Sequence, residues 1–319
     1  MTQARTIIHG ATYFLTRRVL HRKLLRPDPA LTILIRYSLA IAVSRHEVQI
    51  HAFCASSTHI HLVVTDPNKS LPHFLRCFHH LVAMGVKRLH NWKGVVWDNS
   101  RTSVLRLLTM TAIKEKIAYT LANPVIVGAV SHADDWSGAR SRVSDMGTDM
   151  KSIALPDFYF RSKSKKWPAR VDLPISLPPG VTGTAAFREE IQNALDLIEE
   201  KNQNRNKQRK RKKQRKKVNS KPKRKVINTS SRVENSTIAA GNGHEDIFAA
   251  ECAAMKAFRS SYRSALAQWR TGDRSANFPR GTWWMCEFHR ANIDDSQPKP
   301  GYVSLPHQEG RIGEMLMPI

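Results

Sequence analysis

A chain of 319 residues with 41% apolar side chains can bury a sizeable core and has room for two modest domains. Its 51 basic residues against 26 acidic ones leave a formal net charge of +25, which favours polyanionic partners, nucleic acid foremost. Cys54, Cys77, Cys252 and Cys286 lack CxxC spacing, which argues against a disulfide framework or zinc knuckle; the best apolar stretch, 31–43, is too short for a bilayer and is broken by Arg36.

The first ten residues have no apolar core of signal-peptide length. Residues 11–19 read as a strand centred on Tyr13, Phe14 and Leu15. Asp28 followed by Pro29 is a helix-start signal, and the helix is predicted to run to about Arg45. Two short β-branched, apolar stretches, 49–56 and 58–65, read as adjacent strands. Ser70 and Pro72 open a second helix, in which Leu71, Leu75, Phe78, Val82, Gly85 and Leu89 recur on one face, with Gly94 as its stop. A strand is predicted at 104–110 and a helix at 112–122, ended by Pro124. The order β-α-β-β-α-β-α predicts an α+β fold of the ferredoxin-like, split βαβ kind: an antiparallel sheet with helices on one face.

Beyond residue 145 the periodicity weakens. Residues 151–180 contain five prolines and read as an irregular connection, followed by an amphipathic helix at 184–200 with Phe187, Ile191, Leu195 and Ile198 on one side. Residues 201–225 hold 15 Lys/Arg and no acid, yet the remainder still carries 36 bases against 26 acids, so the rest of the chain is basic in its own right. Up to about 243 the composition is that of a polar arm, with Arg209, Lys210, Arg211, Lys212 and Lys213 as candidate phosphate contacts or a solvated tail. Residues 245–270 predict a helix with Met255, Phe258, Tyr262, Leu266 and Trp269 as its apolar stripe; the aromatic run at 277–285 reads as core before base-stacking surface. The segmentation is thus 1–145, 146–200, 201–243 and 244–319, the last a small, mainly helical region.

Two short patterns carry chemistry. In His59-Ile60-His61 both imidazoles fall on one face of a strand and can chelate one divalent ion. Alone the pair is weak in a chain with 14 histidines, and two partly exposed strand histidines are then the favoured reading. In Tyr119-Thr-Leu-Ala-Asn123-Pro-Val125 the Tyr and Asn lie four apart, one turn from each other on a helix. The amide oxygen of Asn123 can complete a metal site beside the phenol, or the pair can serve packing and capping alone. Phenols titrate near 10, so a tyrosine nucleophile needs positioning and a polarised electrophile.

Together, His-hydrophobic-His on a strand and Tyr-x-x-x-Asn-Pro-Val almost sixty residues later resemble the single-tyrosine HUH transposases, in particular the REP-associated tyrosine transposases, of the insertion-sequence-200-like kind. The resemblance spans roughly His9 to Arg142, including Gly128-Ala-Val130 and Asp135-Trp136-Ser137. It departs from the pattern at Ala55-Ser-Ser-Thr58, at Ile126 where relatives have a basic residue, and at Asp98 after Trp97, where they commonly have Gln. The resemblance implies His59, His61 and Asn123 as ligands of Mg²⁺ or Mn²⁺, and Tyr119 as nucleophile. It implies cleavage and rejoining of hairpin-adjacent single-stranded DNA through a 5′-phosphotyrosine, with Lys87 and Arg88, and less strongly Arg17 and Arg18, as phosphate contacts. A homodimer and a cytoplasmic, nucleoid-associated location without membrane contact go with it. Two rival readings are a hairpin-binding module with an idle catalytic set, and a metallohydrolase activating water at His59 and His61. The hydrolase needs a nearby carboxylate, for which Asp66 is a poor candidate.

Overall fold

The computed structural model describes residue 4 and residues 6–160, 166–217 and 237–294, with side chains left out at 22, 23 and 206–217. The first seven elements are β1 (Ala11–Arg18), α1 (Pro29–His46), β2 (Gln49–Ala55), β3 (His59–Asp66), α2 (Leu71–Leu89), β4 (Ser103–Leu107) and α3 (Met110–Ile126). Their order is the predicted one, and the strands lie side by side as β2-β3-β1-β4, all antiparallel, which is the ferredoxin-like arrangement.

Local chemistry sets the ends of these elements. The Asp28 carboxylate accepts from the Ala30 and Leu31 amides (2.8 and 3.1 Å), and Pro29 occupies the first turn of α1. Ser70, predicted to open α2, makes no side-chain cap. The fully buried Asp66 at the end of β3 replaces it, accepting from the amides of Ser70 and Leu71, both at 2.8 Å. In α2 the ideal Cβ position of Gly85 lies 2.4 Å from Leu34 Cδ1 of α1, so the missing side chain is what lets the two helices approach. The helix α3 runs past Pro124 to Ile126 rather than stopping at 122. Proline removes one amide, but the last turn still closes through Val127 N–H on the Asn123 carbonyl (3.0 Å) and Ala129 N–H on that of Pro124 (2.9 Å).

Pairing register sorts the strand side chains. Arg17 pairs with Ile60 and lies over Trp97, whose indole donates to the His79 carbonyl of α2 (3.1 Å), so this face carries α1 and α2. Phe14, Thr16, Arg18, His59 and His61 point to the other face, where α3 lies.

Residues 151–180, expected to be irregular, contribute two strands. β5 (Thr148–Ala154) and β6 (Arg170–Ile175) pair with each other, and Ile175 pairs in parallel with Ile50 of β2. Leu173 and Ile175 are fully buried, and Tyr37 Oη of α1 donates to the Pro168 carbonyl (2.8 Å). Pro174 is tolerated because β6 is fully paired along one side only.

The helix α4 (Thr184–Lys217) packs on α3 through Phe187, Ile191 and Leu195, all buried, and continues well into the basic tract. Arg209, Lys210, Arg211, Lys212 and Lys213 thus sit on helical backbone; the arm's remaining residues, 218–236, lie outside the described residues. β7 (Ile238–Ala239) adds in parallel to β4, inside the stretch expected to be a polar arm. α5 (Glu245–Arg270), β8 (Asn277–Pro279), α6 (Trp284–His289) and β9 (Asn292–Asp294) follow. They build two small cores, one of Leu108, Ile238, Ala240, Met255 and Phe258, the other around the fully buried Phe278. The aromatic run therefore divides: Phe278 is core, whereas Trp284 is 57% exposed. A buried ion pair joins Arg106 of β4 to Glu251 of α5, and the Thr109 hydroxyl, which caps α3, donates to the Ala240 carbonyl. No helix among the described residues is long and apolar enough to cross a membrane.

Candidate active site

Strand β3 places His59 and His61 side by side on one face, with ring centroids 4.3 Å apart. Both are buried, at 8% and 4% exposure. Across the sheet from them, on β1, stand their register partners Arg18 and Thr16. Helix α3 crosses above and brings Asn123 and Tyr119, one turn apart, onto these imidazoles. The Asn123 Nδ2 lies 3.3 Å from His59 Nε2, and the Tyr119 ring centroid is 5.5 Å from that of His61. The four residues singled out by spacing therefore meet, from positions about sixty residues apart.

Hydroxyls fix the outer edges of the imidazoles. Thr16 Oγ1 is 2.9 Å from His61 Nδ1; Thr58 Oγ1 and Ser56 Oγ are 2.7 and 3.1 Å from His59 Nδ1. Ser56 donates its own proton to the His59 carbonyl (3.2 Å), and Asn123 Nδ2 donates towards His59 Nε2. Both contacts suit the tautomer with its proton on Nδ1, which leaves the Nε2 lone pair turned to the centre of the site. His61 Nε2 and Asn123 Oδ1 are buried without a hydrogen-bond partner. Unsatisfied buried polar atoms are uncommon, and two of them on adjacent side chains of one pocket mark a place that suits a ligand. A half-turn of the Asn123 amide exchanges nitrogen for oxygen at His59. The donor set of two neutral imidazoles and one amide oxygen thus fits a divalent cation.

The electrostatics suit the same role. Burial, and then the Arg18 charge, push His59 down to about 4. His61 is held well below the ordinary histidine value, chiefly by burial and then by His59, with Arg18 and Lys116 adding smaller contributions against a hydrogen bond to the Leu15 backbone. Both rings stay neutral near pH 7, as metal ligands must. Among the described residues no group of three or more His, Cys, Asp or Glu is placed to hold a metal, so the pocket brings no negative charge of its own. Asp66 is at the far end of β3, paired with Ala11 and committed to the start of α2, which removes the carboxylate that a water-activating site needs.

Three side chains around Tyr119 escape sequence reasoning. Phe14 stacks on His61 (5.0 Å) and meets Tyr119 edge-on (5.9 Å), walling the pocket. Thr16 orients His61. Lys116, one turn before Tyr119, holds its ammonium 5.5 Å from the Tyr119 ring centroid and 5.6 Å from that of Phe14. Only Lys116 carried a visible signal, its position three residues before the tyrosine on the same helix.

The candidate phosphate contacts separate. Arg18 is exposed beside His59. Arg17 points to the opposite face, where its guanidinium donates to the Ser100 carbonyl and lies over Trp97. Lys87 and Arg88 end α2, also across the sheet, with Arg88 Nε donating to the Phe158 carbonyl (3.3 Å).

No family model matches the sequence, and no curated protein does. Among solved structures the chain is similar to a REP-associated tyrosine transposase bound to a REP hairpin, at 19% identity and a TM-score of 0.39, over 46% of this chain and 84% of that one. It is also similar to a protein of Deinococcus radiodurans described as a candidate transposase, at 18% identity and a TM-score of 0.25, over 33% of this chain and 85% of that one.

Proposed function

We propose that the chain is a metal-dependent transposase that cuts and rejoins single-stranded DNA next to hairpins, with Tyr119 as nucleophile. The observation that carries this reading is that the Asn123 amide, at 3.3 Å from His59 Nε2, and the His61 ring beside it keep two buried atoms without partners, Asn123 Oδ1 and His61 Nε2, at the face where α3 presents Tyr119. His59, His61 and Asn123 would hold Mg²⁺ or Mn²⁺. Once bound, the ion supplies charge neutralisation at a non-bridging oxygen of the scissile phosphate.

The chain's own groups account for the rest. Phe14 and the Lys116 ammonium fix the Tyr119 ring, so the phenol oxygen is offered in one direction. Tyr119 forms an Oη–P bond as the P–O3′ bond breaks; the phenolic proton passes to solvent and the departing 3′-oxygen takes one up. Lys116 and Arg18 add positive charge where the pentavalent phosphorus gathers negative charge. The 5′-phosphotyrosine retains the energy of the broken diester, so a later 3′-hydroxyl can reverse the step and join strands. A pocket of neutral ligands fits this chemistry, because the phosphate itself completes the ion's charge balance.

A denaturing gel of end-labelled single-stranded hairpin oligonucleotides, incubated with the protein and Mn²⁺, tests the reading. The expected result is a denaturant-resistant protein–DNA adduct that disappears with EDTA and with Tyr119→Phe. Binding across varied hairpins with no adduct would leave a non-catalytic hairpin-binding module. Cleavage that survives Tyr119→Phe would return the role to metal-activated water.

A further inference from the structure

A cleft of about 1740 Å³ opens on the α2 face of the sheet, opposite Tyr119, between α2, the start of β4 and the C-terminal α5 and α6. Five cations line it, Arg17, Arg101, Lys256, Arg259 and Arg270, and no lining residue is acidic. Arg101, Lys256 and Arg270 are exposed. Trp283 and Trp284 also line it; Trp284 is 57% exposed, with its ring 4.3 Å from that of the 45% exposed Phe288. Three polar atoms at the wall, Arg17 Nε, Arg259 Nε and Thr282 Oγ1, are buried without a hydrogen-bond partner.

This composition selects a ligand. Positive charges gathered along a lining that holds no acidic residue repel one another until a polyanion neutralises them. Wide aromatic faces left in water next to cations suit a polyanion that also carries flat apolar rings, and an unpaired nucleic-acid strand combines the two. A duplex hides its ring faces in its own stack. We propose that the cleft is a second nucleic-acid site, holding a single strand of DNA with its phosphates on Arg101, Lys256 and Arg270 and its bases on Trp283 and Trp284. The choice of DNA over RNA rests on the strand-transfer reading of the Tyr119 site; the cleft's binding of a strand does not.

The test is fluorescence anisotropy of a labelled thymidine homopolymer, which forms no hairpin, with the full chain carrying Tyr119→Phe so that no covalent bond forms. Trp284→Ala is expected to weaken binding about tenfold. Lys256→Ala with Arg270→Ala is expected to lower the slope of log K against log salt by about 1.4, roughly 0.7 for each single-strand phosphate contact. All three side chains are exposed, so unchanged circular dichroism and thermal melting are expected alongside. Binding indifferent to both changes, or sensitive to the charges but not to Trp284, would overturn the proposal. Tighter binding of a uridine homopolymer would overturn the DNA assignment. With Tyr119 intact, the Trp284→Ala chain is expected still to form the hairpin adduct, so loss of cleft binding and loss of tyrosine chemistry are read in separate experiments.

Discussion

Asn123 is almost wholly enclosed, at 1% exposure, yet only its amide nitrogen is engaged, while its oxygen has no partner. A side chain kept for packing or capping would not leave that oxygen stranded, since an unmet buried acceptor is destabilising by about 1–3 kcal/mol. The same reasoning reaches outward to Thr16, whose hydroxyl sets the orientation of His61. Thr16→Val keeps the shape and removes that contact. Partners of metal-bound histidines typically matter 10–100-fold for affinity, so the Mn²⁺ concentration giving half-maximal adduct is expected to rise by about that factor. An unchanged Mn²⁺ dependence would mean that the Thr16 hydroxyl does not position His61 for metal binding.

Among the elements, the seating of α2 on α1 depends on Gly85. A Cβ there would fall 2.4 Å from Leu34 Cδ1, and Leu34, fully buried on α1, would have to shift within the core to admit it. Gly85→Val is expected to destabilise the fold by about 1–3 kcal/mol in urea titrations, the usual range for overpacking; no loss would show that α1 and α2 part easily. The amphipathic stripe of α2, the cap of α1 and the alternating strands were all legible in the sequence, because each is a local pattern. The two spacings, His59 with His61 and Tyr119 with Asn123, were legible as well, but that they belong to one site was implied only by the resemblance to a family. What stayed hidden depends on register and distant contact. Phe14 and Thr16 join the site only because β1 pairs with β3 in one alignment. β5 and β6 arise in a proline-rich stretch whose strands are made by their neighbours rather than by alternation. Pro124 reads as a stop, yet a proline in the last turn lets α3 finish and carry Asn123 on helical backbone.

For the whole molecule, pH reports on the interior. His51, at 1% exposure, sits at the bulge of β2 with Nδ1 on the Ser176 carbonyl (2.9 Å) and Nε2 on Thr65 Oγ1 (2.7 Å). Burial, partly offset by the Ser176 contact, lowers it from 6.5 to about 4. The unfolded chain therefore binds this proton more readily than the folded one. Stability is complete above about pH 6.5 and falls as pH drops from there to about 4, by on the order of 3 kcal/mol from this residue. Urea midpoints measured across that window are expected to decline, and His51→Gln is expected to flatten the decline. An identical slope in the variant would place the titration elsewhere.

The join between β4 and the C-terminal residues bears on how this protein can be taken apart. Two residues of β7, the Ala240 carbonyl over the cap of α3 and the Glu251 carboxylate on Arg106 all come from beyond residue 236. A fragment ending near residue 145 would keep Tyr119 and all three candidate ligands, but it would leave Arg106 without Glu251 and bare the backbone amides of Arg106 and Leu108 along a sheet margin. Such margins recruit other chains. Minimal versions cut at that point would thus tend to clump, and transplanting the tyrosine half onto another protein would require carrying the fastening with it.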